Sequence, residues 1–204
     1  MKTELILARH GETEWNEKSL IQGAQDIPLN KRGVSQAHKL ADRLAGEQLA
    51  GIYTSNLQRA VKTAEIITNK HNLAVKQKPN LQEINFGIWE GKSFAEIEEE
   101  APDWIEKWKS RPDLNGPPQG ENLTQLRNRA ATVLEEIIDT HQGEKVLVVS
   151  HGGVIRALVS HYLGMPLADS WQLMQGNTAV NKLNFYEEVV MLEQFNSLCH
   201  LQQE

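Results

Sequence analysis

The sequence predicts an α/β fold, a three-layer α/β/α sandwich around a mostly parallel central sheet. Three observations carry this. Strand-like apolar runs alternate with segments of helical periodicity, the pattern that packs helices on both faces of one sheet. The run Val146 to Ser150 is apolar up to its last residue, as a strand covered on both faces requires. That run and an earlier one, Leu5 to Ala8, both lead into a His-Gly pair, and α/β sheets place their ligands at such strand ends.

The elements follow in order. Leu5 to Ala8 reads as a strand. Pro28 to Gly33 reads as a turn into a helix that carries Val34, Ala37, Leu40, Ala41 and Leu44 on one face. Ile52 to Thr54 is a short strand, and Leu57, Ala60, Val61, Ala64 and Ile67 mark a second helix. Ala74 to Lys78 is expected to be another short strand. Residues 93–120 break the alternation. Ser93 and Glu96 fit a capping box, an acidic helical stretch follows, and Pro112, Gly116, Pro117, Pro118 and Gly120 end it. This segment is expected to be a helical flap over the active site, inserted into a single domain spanning 1–204. A long helix starts near Asn122, burying Leu123, Leu126, Ala130, Val133, Leu134, Ile137 and Ile138. After Gly153 a helix buries Val154, Ile155, Leu158, Val159 and Tyr162. Two closing strands span Ala179 to Phe195, around Glu187 and Glu188.

Composition bounds the function. The 204 residues are 40% apolar, enough for a core, but no apolar run approaches a membrane span. The start of the chain lacks the apolar region of a secretory signal. With one cysteine, Cys199, no internal disulfide can form, and a cytoplasmic setting is expected. The net charge of −6 argues against nucleic acid and anionic membranes as partners. A small anionic substrate fits, because a few convergent arginines make a positive pocket on an acidic protein. No His-x-x-x-His or Cys-x-x-Cys spacing points to a metal.

The candidate chemistry sits at the two strand ends. A neutral histidine such as His10 can attack phosphorus, and Arg9 beside it can neutralise the anionic group under attack. Arg59 falls in the first turn of a helix, already an anion site through its free amides. His151 could stabilise charge on the phosphoryl oxygens if protonated. Glu83 lies in a partly apolar turn and could protonate a leaving oxygen and then activate water, with Glu90 a competitor for the same work. Each residue read alone also has a plain structural explanation.

Taken in order, the motifs resemble the histidine phosphatase superfamily, with its phosphoglycerate-mutase-like fold. The match runs through Arg9-His10-Gly11-Glu12-Thr13 with Trp15-Asn16, Gln22-Gly23, Asp26-Ile27-Pro28-Leu29, and Tyr53 to Ala60. It continues through Leu81 to Gly87 and Val149-Ser150-His151-Gly152. The resemblance implies that His10 becomes a phosphohistidine, that Arg9, Arg59 and His151 hold the phosphoryl group, and that Glu83 is the proton donor. Asn16, Gln22, Gly23 and Gly152 would line the substrate pocket, with no metal and no cofactor. Asn30 and Ala24 depart from the usual threonine and tryptophan; the second departure opens the rim.

The same resemblance leaves two activities. A mutase must hold a bisphosphorylated intermediate, which calls for further basic residues over the pocket. Between residues 84 and 120 only Lys92, Lys107, Lys109 and Arg111 are basic. The run Phe86 to Lys92 and the segment Pro118 to Asn122 look like the phosphatase branch, with its broad-specificity and α-ribazole phosphatases. The expected activity is therefore metal-independent hydrolysis of a small phosphorylated metabolite. Phosphoglycerate mutase is the alternative, and a non-catalytic phosphoryl-ligand binding protein a further one. Trp104 and Trp108, four apart, are expected to share a helix face and to pack the flap onto the body, or else to roof the pocket. Leu192, Phe195 and Leu198 could face the core or a second copy, which leaves a homodimer open.

Overall fold

The computed structural model describes residues 2–202 of the chain. Its sheet has six strands: β1 (Thr3–Arg9), β2 (Gly51–Thr54), β3 (Val75–Gln77), β4 (Lys145–Ser150), β5 (Val180–Phe185) and β6 (Val190–Ser197). They lie in the order β3-β2-β4-β1-β5-β6. The first four run parallel, and β5 and β6 join antiparallel at one edge.

Seven α-helices accompany them: α1 (Glu14–Glu17), α2 (Lys31–Leu44), α3 (Gln58–Thr68), α4 (Phe94–Glu100), α5 (Pro102–Ser110), α6 (Leu123–Thr140) and α7 (Gly152–Tyr162). Side chains of a strand alternate between faces, and β1 shows the result. Ile6 and Ala8 enter a core with Leu40, Leu44 and Ile67 of α2 and α3. Leu5 and Leu7 enter a second core with Leu126, Leu134 and Leu158 of α6 and α7. Each fully buried side chain of this size contributes about 1.5–3 kcal/mol. This explains why β1 and β4 are apolar without alternation.

The register matters most for function. Ala8 pairs with Val149 and Arg9 with Ser150. The next residues, His10 and His151, therefore leave adjacent parallel strands side by side at their carboxyl ends.

The expected elements are present with shifted ends. The predicted strand Ala74 to Lys78 is Val75–Gln77, and β1 extends to Thr3 and Arg9. Helix α1 was not foreseen. Thr13 caps it, its side chain accepting from the Asn16 amide, but one turn is too short to show periodicity. In the flap, Ser93 and Glu96 form the predicted capping box, and Glu98, Glu99, Glu100, Asp103 and Glu106 are exposed.

The two tryptophans do not share a fate. Trp108 is buried among Phe86, Trp89, Phe94 and Trp171, whereas Trp104 is 46% exposed. The buried stripe of α5 is Ile105 and Trp108, and in so short a helix Trp104 falls off its edge. In the tail, Leu192 and Phe195 pack on the chain's own core. Leu198 lies against Gly176.

Candidate active site

His10 is 2% exposed. Its Nδ1 lies 2.6 Å from the Gly11 carbonyl. A carbonyl can only accept, so Nδ1 carries the proton and Nε2 keeps its lone pair. Burial, then Arg59 and Arg9, hold its pKa well below the usual histidine value. The ring is neutral at neutral pH, the state a nucleophile needs.

The His151 ring lies 5.2 Å from that of His10, centroid to centroid. Ser55 Oγ accepts the Leu57 amide and lies 2.8 Å from His151 Nε2. The direction of that bond follows the tautomer: with the serine hydroxyl donating to Nε2, the imidazole proton sits on Nδ1, which has no partner. Burial, followed by Arg59, lowers the His151 pKa well below its usual value. The ring is neutral rather than the imidazolium considered from sequence. A neutral Nδ1–H still donates.

Arg59 is the second residue of α3 and is fully buried. Its Nη1 donates to Gln25 O at 2.6 Å and its Nη2 to Gly23 O at 2.8 Å, while Nε has no acceptor. Gly23 has φ +52 and fits against Glu90, where a side chain would not. Arg9 repeats the pattern: Nη1 donates to Gln175 O at 2.6 Å and Nε is unpartnered. Burial lowers both arginines to about 10, so both stay charged at neutral pH. Around the two histidines, Arg9 Nε, Arg59 Nε and, in that tautomer, His151 Nδ1 are buried without an acceptor, as are the Nε1 groups of Trp108 and Trp171 in the flap packing. Buried donors are nearly always satisfied, and the three around the histidines suit the oxygens of one tetrahedral anion.

The two candidate carboxylates separate clearly. Glu83 Oε2 accepts the Gly153 amide at 3.1 Å, and Oε1 accepts the Ile84 amide at 2.9 Å. Arg129 of α6 fixes its backbone, donating to the carbonyls of Gln82 and Glu83 and pairing with Glu121. Glu90 instead accepts from the amides of Ala24 and Phe86 and from the Gln25 side chain. It buckles the loop that carries the Arg59 acceptors to the turn after Glu83.

A cavity of about 300 Å³ is lined by Arg9, His10, Asn16, Gln22, Gly23, Arg59 and Glu83. His151 and Gly152 are buried and do not line it. A Cβ on Gly152 would stand 3.3 Å from Arg156 Nη1 and 3.5 Å from Arg9 Nε, so Gly152 lies between the two guanidinium groups. Asn16 Oδ1 accepts from Asn177, and Gln22 Oε1 from the Thr13 hydroxyl. The cavity also holds Arg156, Phe94 and Trp171, none of them a sequence candidate. Arg156 carried a signal, being the one Lys, Arg, Asp or Glu in the apolar α7. Phe94 and Trp171 carried none, since only the fold brings them over the site. Among the described residues no three His, Cys, Asp or Glu side chains cluster as a metal site. No described helix is long and apolar enough to cross a membrane.

A mostly parallel α/β sheet with paired histidines, a buried Arg59 and a half-buried Arg9 at its carboxyl edge defines a protein that can hold a phosphoryl group. The chain belongs to the histidine phosphatase superfamily (branch 1), whose family model matches residues 5–198. Phosphoglycerate mutase-like protein 4 of Arabidopsis thaliana is 36% identical over 98% of this chain and 87% of its own. Phosphoserine phosphatase 1 of Hydrogenobacter thermophilus is 35% identical over 97% and 94%. Among solved structures, Bacillus stearothermophilus YhfR superposes with a TM-score of 0.91 at 35% identity, covering 98% and 99%. A phosphoserine phosphatase mutant from Entamoeba histolytica, in complex with phosphoserine, gives 0.90 at 32% identity, covering 98% and 99%.

Proposed function

We propose that the chain hydrolyses small phosphomonoesters in two steps through a phosphohistidine on His10. The observation that carries this is a neutral His10, its Nε2 free, beside three buried donors that lack acceptors. In the first step Nε2 attacks phosphorus, and the P–O bond to the alcohol breaks. Arg9, Arg59 and His151 donate to the non-bridging oxygens as charge develops there. Glu83 gives a proton to the departing oxygen. In the second step the Glu83 carboxylate takes a proton from water, whose oxygen attacks the phosphohistidine. The P–N bond breaks, and phosphate and neutral His10 are released. Asn16, Gln22, Gly23 and Gly152 shape the pocket. The chain works as one domain in a cytoplasmic setting, with residues 93–120 as its flap. Every side chain named comes from one copy.

The phosphatase-named relatives support hydrolysis, and the mutase-like one keeps the alternative in view. The flap favours hydrolysis. Lys92 pairs with Glu100, Lys109 with Glu98 and Arg111 with Asp113, and Lys107 lies over Trp104. None of the four lines the cavity, so the flap supplies no second set of cations for a bisphosphate. The test is phosphate release from p-nitrophenyl phosphate and 3-phosphoglycerate with EDTA present, in wild type and His10→Ala. Release that resists EDTA and vanishes in the variant is expected. Release that persists in His10→Ala overturns the mechanism; a bisphosphoglycerate-dependent mutase reaction without release makes the chain a mutase.

A further inference from the structure

Arg156 is a third guanidinium in the cavity, and the phosphoryl group already has its donors. Its Nε donates to Leu173 O at 2.6 Å, and its guanidinium carbon lies 5.1 Å from the centre of the Trp171 ring. These contacts fix the plane of the fork. Among the described residues neither Nη has a hydrogen-bond acceptor, and no carboxylate lies within ion-pair distance. Burial lowers its pKa, with Glu83 opposing the shift. The half-buried guanidinium lines the cavity with no counter-ion, and an anionic ligand would supply one.

The position narrows the ligand. A point over Gly152 is 3.3 Å from Arg156 Nη1 and 3.5 Å from Arg9 Nε, so Arg156 adjoins the phosphoryl clamp. It shares the cavity wall with Glu83, the acid for the leaving oxygen, and with the apolar Phe94 and Trp171. One guanidinium matches one carboxylate, whereas a second phosphate would call for further cations.

We propose that Arg156 binds a carboxylate on the leaving group, so that phosphorylated hydroxy acids are selected over phosphorylated neutral alcohols. This rests on the hydrolase reading and deepens it. The probes are 3-phosphoglycerate and glycerol 3-phosphate, which differ by a carboxylate against a hydroxymethyl group. Calorimetric binding to the His10→Ala protein measures selection without turnover. The carboxylate compound is expected to bind about 10- to 100-fold more tightly, the range of one charge-assisted hydrogen-bond pair at a part-open site. Adding Arg156→Met should bring the two affinities together. Adding Arg156→Lys, which keeps the charge without the fork, should leave an intermediate ratio and serves if the methionine variant fails to fold. Equal binding in the parent, no binding of either compound, or an equal loss for both on substitution overturns the proposal. Phosphate release from the same compounds by wild type separates the two readings. Selective binding without release sinks the hydrolase and keeps the subsite, while release without selection does the reverse.

Discussion

Gly153→Ala isolates the role assigned to Glu83. The Gly153 amide holds Glu83 Oε2 at 3.1 Å, and a Cβ on Gly153 would come within 2.5 Å of Glu83 Oε1. Carbon and oxygen at rest stand about 1 Å further apart, so the carboxyl must retreat by roughly that distance, a misplacement that can cost about 100-fold in rate. The backbone is spared: Gly153 lies in the first turn of α7 and has no positive φ. Alanine there favours the helix by up to about 1 kcal/mol. The assay compares kcat/KM for glycerol phosphate, whose alkoxide needs a proton to leave, with that for p-nitrophenyl phosphate, whose phenolate does not. The alkyl substrate should lose about 100-fold and the aryl substrate under about 10-fold, with the melting temperature held or raised. Equal losses for both substrates, or none, would refute Glu83 as the acid held by that amide.

Two further predictions use the same geometry. Glu90→Ala frees the amides of Ala24 and Phe86 and unbuckles the loop under Arg59. Stability should fall by about 1–3 kcal/mol and kcat/KM by about 10-fold or more, read by urea melts and kinetics; an unchanged kcat/KM would show that the buckle does not set Arg59. The pKa values of His10 and His151 are lowered by burial and the arginines, and that of His200 to about 4 by burial, Arg43 and Lys39. On acidification the unfolded chain therefore takes up protons first. The stability these histidines contribute is complete above about pH 6.5 and is lost as pH falls through their folded values. The slope is about 1.4 kcal/mol per pH unit for each histidine. The urea midpoint should drop between pH 7 and pH 5, less so in His200→Gln, and a flat midpoint would contradict the burial argument.

Much of the fold was legible in the chain because hydrophobic period reports burial directly. Unbroken apolar strands marked β1 and β4 as central, and the stripe on α6 gave its face. The capping box at Ser93 and the apolar stripe that begins at Leu123 placed two helix starts to within a residue. The short α1 stayed hidden, because one turn has no period to read. Trp104 and Trp108 show the other limit: spacing places two residues on a face, but the neighbours decide which part of that face is covered.

The candidate site divides along the same line. Sequence alone determined the residue types at the strand ends, and the order of motifs marked His10, Arg9, Arg59, Glu83 and His151. These lie in local stretches whose chemistry is written in the residues themselves. Only the tertiary structure showed that Ser55 meets His151, that Glu90 is taken up by the amides of Ala24 and Phe86, and that Arg156, Phe94 and Trp171 line the cavity. These depend on contacts between distant segments, and the register of β1 against β4 and the docking of α4 and α7 create those contacts. A one-dimensional pattern records which side of an element is buried, but not which remote side chain it meets there.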